Sequence, residues 1–171
     1  MSILPDDFRK SHELCFVIHD IMVQIIQSGE KQQVFTAALE LDEEEELSVN
    51  DESNILDWLQ SRERFDDRNL IIRSTVLPGI LSDMMHCVYE ALSASSKGKM
   101  AVAYMLIRKP IQESLYVLES MILDEEKFVS DLENDPMKLR PKNAGGVEKH
   151  SKRVLSILEI LEMDGVLDPE Y

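Results

Sequence analysis

Apolar positions recur along most of this chain at intervals of three and four residues, the spacing of one face of an α-helix. Between Asp6 and Ser28 a stripe of Phe8, Cys15, Met22 and Ile26 is widened by Leu14, Ile18, Ile21 and Ile25. The polar strip of Arg9, Glu13, Asp20, Gln24 and Gln27 is narrow, which predicts a helix enclosed around most of its circumference. Pro5 stands at its entry and Gly29 is the expected stop. Val34, Ala37, Ala38 and Leu41 predict a second helix over Glu30–Leu41, which the acidic run Asp42–Glu46 ends. Residues 48–53, SVNDES, read as a loop, and Ile55, Leu56, Trp58 and Leu59 as the apolar side of a short helix over Ile55–Ser61.

Two prolines interrupt the longer patterns. From Phe65 an apolar segment crosses Pro78-Gly79. Proline removes a helix hydrogen bond and biases Leu77 away from α, so a kink or break is expected there, with helix from Pro78 to Ser93. After a Ser/Gly/Lys loop over Ser93–Lys99, the segment Met100–Phe128 predicts a long central helix to about Leu123, bent at Pro110. Its wheel puts Tyr104, Ile111, Leu115, Leu118 and Ile122 in one stripe with Arg108 beside it. Lys109 and Glu113 are four apart and can pair, whereas Gln112 takes the matching position for Arg108. A partly buried Arg108 therefore needs a partner from elsewhere in the fold. Arg108, Lys109, Pro110 and Glu113 read first as a structural motif tying helices together. Arg108 with Glu113 and Glu119 is the set a ligand would meet.

A following helix holds Phe128, Val129 and Leu132 and stops at Asp135-Pro136. Residues 138–146, KLRPKNAGG, have linker composition. A last helix over Val147–Met163 carries Val154, Ile157, Leu158 and Leu161 on one side. The expected fold is all-α, a bundle of six to eight helices around a long proline-kinked one. It divides into a helical domain over 1–137, a loop over 138–146, and a C-terminal helix within 147–171 that packs on the domain or leads onward. The ending DGVLDPEY reads as a loop, as if the chain continued in a longer product.

Composition narrows the class. The chain of 171 residues is 44% hydrophobic and 30% charged, with 6% aromatics and six each of Gly and Pro, which suits a helical globular protein. Its net charge of −15 is uneven: residues 1–60 hold 14 acids and 3 bases, whereas residues 61–110 hold 5 and 8. That total opposes nucleic-acid binding, and Arg62, Arg64, Arg68 and Arg73 read as a solvated helix face. The N-terminus has acids where a signal peptide has bases, and Met100–Ile107 is too short to span a membrane. Two unpaired cysteines complete the expectation of a soluble, cytoplasmic protein.

The string Leu106-Ile107-Arg108-Lys109-Pro110, followed by Glu113, Leu115, Leu118-Glu119, Asp124 and Phe128, resembles a helix block in uncharacterised bacterial proteins of the DUF5677-like kind. The resemblance covers roughly 30 of the 171 residues. It implies a helical fold of the broad HEPN-like group and no established reaction. HEPN-like ribonucleases carry Arg, four to six residues, then His on one helix. No Arg lies at that spacing before His12, His19, His86 or His150, so the resemblance implies that this catalytic pair is absent.

The nearest approach to a metal set is His12, Cys15 and His19 at i, i+3 and i+7, which His86-Cys87 could face. No CxxC or HExxH accompanies these residues and they coincide with the apolar stripe, so core packing is expected, with no metal and no cofactor. Phosphate loops and nucleophile elbows are missing, and Asp42–Glu46 lacks the alternation and Gly of a calcium loop. The function expected is a non-enzymatic protein-interaction or scaffold domain with a protein partner or a second copy, its surface on the Glu30–Leu41 and Trp58 helices. Two alternatives stand beside it. One is a HEPN-like domain of a larger nucleic-acid-processing or defence protein, with its chemistry outside this chain. The other is an acidic nucleic-acid mimic. An exposed apolar patch marks a scaffold, a concave pocket where Arg108 and acids converge marks catalysis, and a flat acidic face marks a mimic.

Overall fold

A computed structural model describes residues 4–45 and 54–163. Among them are seven α-helices and no strand: α1 (Asp6–Lys31), α2 (Ile55–Ser61), α3 (Phe65–Ser96), α4 (Met100–Lys109), α5 (Leu115–Leu123), α6 (Glu125–Asn134) and α7 (Val147–Ile160). The protein is an all-α multi-helix bundle. The expected loop 48–53 and the closing DGVLDPEY segment lie outside the described residues.

The caps explain where the shorter helices begin. The Asn54 side chain accepts from the Leu56 N–H at 3.0 Å and donates to Asp57 at 2.9 Å, starting α2. Asp124, in extended backbone, accepts from the Lys127 N–H at 2.9 Å and starts α6. Such caps contribute about 1 kcal/mol each by satisfying an N–H the helix leaves open.

The expected stop at Gly29 is corrected: α1 runs through it to Lys31. The chain then folds back on itself, with Gln33 at φ 60° and the Val34 N–H donating to the Gly29 carbonyl at 2.9 Å. The Phe35 ring comes within 3.1 Å of where a Gly29 Cβ would stand, so glycine here admits an aromatic ring and does not end the helix. The predicted helix Glu30–Leu41 does not form beyond Lys31. Asp42 and Glu45 exchange side-chain and backbone hydrogen bonds at 2.8 and 3.2 Å, so the acidic run opens a helical turn where it was expected to end one. Arg64 holds this segment, donating to the Glu40 carbonyl at 3.0 Å, to Glu45 at 3.1 Å and to Asp67 at 2.6 Å.

No break occurs at Leu77. α3 continues through Pro78, and Val76 and Leu77 pack against the core cluster of Ile72, Met121, Phe128 and Val129. An interior proline costs about 3 kcal/mol. Burial of its neighbours offsets that. The central helix, by contrast, is not one α-helix: Pro110–Ser114 form a π turn between α4 and α5, with the Leu115 N–H reaching the Pro110 carbonyl. Proline cannot donate in the regular ladder, and the widened turn accommodates the gap.

α3 is the spine, touching α1, α2, α4, α5 and α6. Its first half, with α2, α5 and α6, encloses the core cluster in which Phe128 is 1% exposed, and Trp58 of α2 is 2% exposed. Its second half packs on α4 through Ala91, Ala94 and Ala103, small side chains that let two backbones approach closely. The linker-like stretch contributes two 3₁₀ turns, Pro136–Leu139 and Pro141–Ala144, before Gly145 and Gly146 at positive φ lead into α7.

Candidate functional site

Arg108, Glu113 and Glu119 line one cleft of 1140 Å³ around the π turn, with Ile80, Val117, Leu139 and Pro141 as its apolar walls. Arg140, Lys142 and His150 also reach it. Arg108 is exposed, not partly buried, and its Nε donates to Gln112 Oε1 at 2.8 Å. The i+4 glutamine that denied it a local acid is therefore its partner. The expected Lys109–Glu113 pair is replaced by an ion pair between Lys109 and Asp83 on α3. That hydrogen bond to Asp83 raises the Lys109 pKa, while burial works against it and Glu113 acts only through its charge.

Glu119 is held from the C-terminal helix. Arg153 Nε donates to Glu119 at 3.3 Å, its Nη2 donates to Ser120 Oγ at 3.0 Å, and its guanidinium lies 4.6 Å from the Tyr116 ring centroid. His150 Nδ1 stands 3.8 Å from the same carboxylate. α5 thus supplies an acid, a hydroxyl and an aromatic face to one arginine of α7. Periodicity does not announce this cluster, because its residues lie more than 30 positions apart.

The histidines and cysteines do not assemble. His12 Nε2 meets Ser95 Oγ at 2.6 Å and the Leu92 carbonyl at 3.1 Å. His19 is buried, with Nε2 at 3.2 Å from the Met85 carbonyl and Nδ1 at 3.1 Å from Asp20. The His12 ring packs edge-on against Phe16, and the His19 ring lies tilted against Tyr89. Cys15 is exposed and Cys87 half-buried. Among the described residues no three His, Cys, Asp or Glu side chains stand close enough to hold a metal. No described helix is long and apolar enough to cross a membrane.

The feature sequence reasoning missed is on α1. Its core face is His12, Phe16, His19, Val23 and Ile26, half-buried or buried. A second apolar face on the far side of the helix, Leu14, Val17, Ile18, Ile21, Met22 and Ile25, is between 42% and 65% exposed. The narrow polar strip predicted a helix enclosed around most of its circumference; that is corrected, since only the first of these faces is covered. The stripe predicted for the central helix has the same fate: Tyr104 is 69% exposed and Ile111 58%, while Ala103, Pro110, Ser114 and Met121 turn inward. The surface expected on Glu30–Leu41 and Trp58 is corrected too, since the first is not a helix and Trp58 is buried.

Comparison with protein-family models, with characterised proteins and with solved structures finds no match to this chain.

Proposed function

We propose that this chain is a non-enzymatic interaction module whose working surface is the outer face of α1. The observation that supports it is the continuous row of six large apolar side chains, each about half exposed, on a helix whose opposite side is anchored to α3. Monomeric proteins seldom leave such a row uncovered, because apolar patches of this extent mark contact with another molecule. The polar strip of α1 lies beyond this face, so the row is a bounded patch. The test compares the wild-type chain with Ile18→Glu/Ile21→Glu as immobilised baits for itself and for a cell extract. Both residues are exposed, so the double variant keeps its helicity by circular dichroism. Loss of retained protein in the variant supports the reading, and identical retention by the two chains overturns it. Tyr104→Lys/Ile111→Lys serves as the control for the second apolar strip and leaves binding intact.

The cleft supports a second reading, a site for small anions. No carboxylate of the described residues pairs with Arg108, Arg140 or Lys142, which line the cleft together with Glu113 and Glu119. A rise in melting temperature with phosphate or citrate that Arg108→Gln/Arg140→Gln abolishes supports it. No rise at millimolar anion overturns it.

A further inference from the structure

We infer that the occupant of the α1 face is a second copy of this chain, paired antiparallel across a two-fold axis that passes between Ile18 and Ile21. This inference rests on the interaction reading above and adds the identity and direction of the partner.

The first argument is spacing. Leu14, Ile18, Ile21 and Ile25 follow one another at intervals of four, three and four, the d-a-d-a rhythm of a coiled-coil seam. Val17 and Met22 flank that seam. Counting backwards along the helix from the midpoint gives the same set as counting forwards: Leu14 matches Ile25, Val17 matches Met22, and Ile18 matches Ile21. A two-fold interface needs a surface that is complementary to itself, and a pattern unchanged by reversal satisfies this for two helices running in opposite directions. The layers are then Leu14 on the partner's Ile25 and Ile18 on the partner's Ile21. Ser11 and Ser28 close the seam at either end, again as a matched pair.

The helix dipole selects the direction independently. The start of α1 is charge-balanced, since Arg9 and Lys10 follow Asp6 and Asp7 and Arg9 pairs with Asp6 at 3.0 Å, and Glu30 precedes Lys31 at its end. Antiparallel pairing opposes the two helix dipoles, whereas parallel pairing stacks them. Area is sufficient as well. Six large apolar side chains at about half exposure offer on the order of 500 Å² per copy, so two copies bury roughly the 1,000 Å² that separates a specific interface from an incidental contact. No charged side chain has to be buried for the seam to close.

The test uses the full chain. Sedimentation equilibrium across the micromolar range is expected to show a monomer–dimer equilibrium, and Ile18→Glu/Ile21→Glu is expected to weaken it by about 100-fold or more. Direction is read by cross-linking in a Cys15→Ser/Cys87→Ala background with a short bis-maleimide. A mixture of Ser11→Cys and Ser28→Cys chains cross-links when the pair is antiparallel. Ser11→Cys alone does not, because its two copies then stand about 25 Å apart along the helices. Efficient cross-linking of Ser11→Cys alone overturns the antiparallel arrangement. A wild-type chain that stays monomeric overturns the second copy as occupant. If the same chain still retains a protein from extract through Ile18 and Ile21, the interaction reading survives that failure. If the double variant retains as much as the wild type, both fall.

Discussion

Arg153→Met removes the charge that fastens α7 while keeping an unbranched stem against Tyr116. The wild-type guanidinium lies 4.6 Å from the ring centroid and donates at 3.3 and 3.0 Å to Glu119 and Ser120. Its side chain is 24% exposed and that of Glu119 14%, so solvent screens the pair only in part. A cation over an aromatic face contributes about 1 kcal/mol at such a site. The hydrogen bonds contribute about another 1 kcal/mol net. A loss of about 2 kcal/mol corresponds to roughly 30-fold in an equilibrium constant. Leu158 is the one buried side chain of α7, so the helix has little else to hold it. The expected result is local opening. Amide exchange in α7 accelerates about 30-fold while protection in α3, α5 and α6 is unchanged, because sub-global opening sets the exchange of a weakly fastened element. Arg153→Lys recovers part of the protection. Unchanged exchange in α7, or an equal acceleration throughout the molecule, refutes the assignment of Arg153 as the fastener.

Phe128→Ala empties the centre of the core, where the ring is 1% exposed, and is expected to lower stability by about 3–5 kcal/mol in urea unfolding. Gly79 lies inside α3 with open space within 4 Å of where a Cβ would stand, so Gly79→Ala is expected to raise stability by about 0.5–1 kcal/mol. The Lys127 ammonium holds the Asp131 carboxyl below the usual carboxylate range, with burial opposing and Lys138 assisting. A carboxyl depressed in the folded state stabilises above its unfolded pKa, and that contribution is lost as pH falls through the lower folded value. Wild-type stability therefore declines below about pH 4 more steeply than that of Asp131→Asn, as read from unfolding midpoints against pH.

Helix type and number are legible because long three- and four-residue repeats leave little alternative to an α-helix. The start of α2 at Ile55 is legible from its apolar pattern, and the structure adds the side chains that set the starts, Asn54 for α2 and Asp124 for α6. Gly29 and Pro78 mislead for one reason. Each weakens a helix locally, and the local cost of one residue is smaller than what packing supplies, through Phe35 at the first and Val76 and Leu77 at the second. Pro110 reads as a bend, but its missing donor is accommodated by a wider turn. Which face of a helix goes inward is not legible for α1 or the central helix. Periodicity reports that apolar side chains align, and two apolar faces on one helix give it no means of ranking them. Arg108 and Glu119 are legible as cleft residues, while their partners Gln112 and Arg153 depend on rotamers and on the return of the chain through α7.

The length of α3 has a hydrodynamic consequence. At 32 residues it measures about 48 Å end to end, whereas a compact sphere of this many residues is only about 40 Å across. The monomer is thus stretched along its spine and drifts faster down a sizing column than its 19.6 kDa warrants. Elution volume alone reads such an elongation as extra mass. Mass has to come from scattered light or sedimentation, which weigh the particle without assuming its outline.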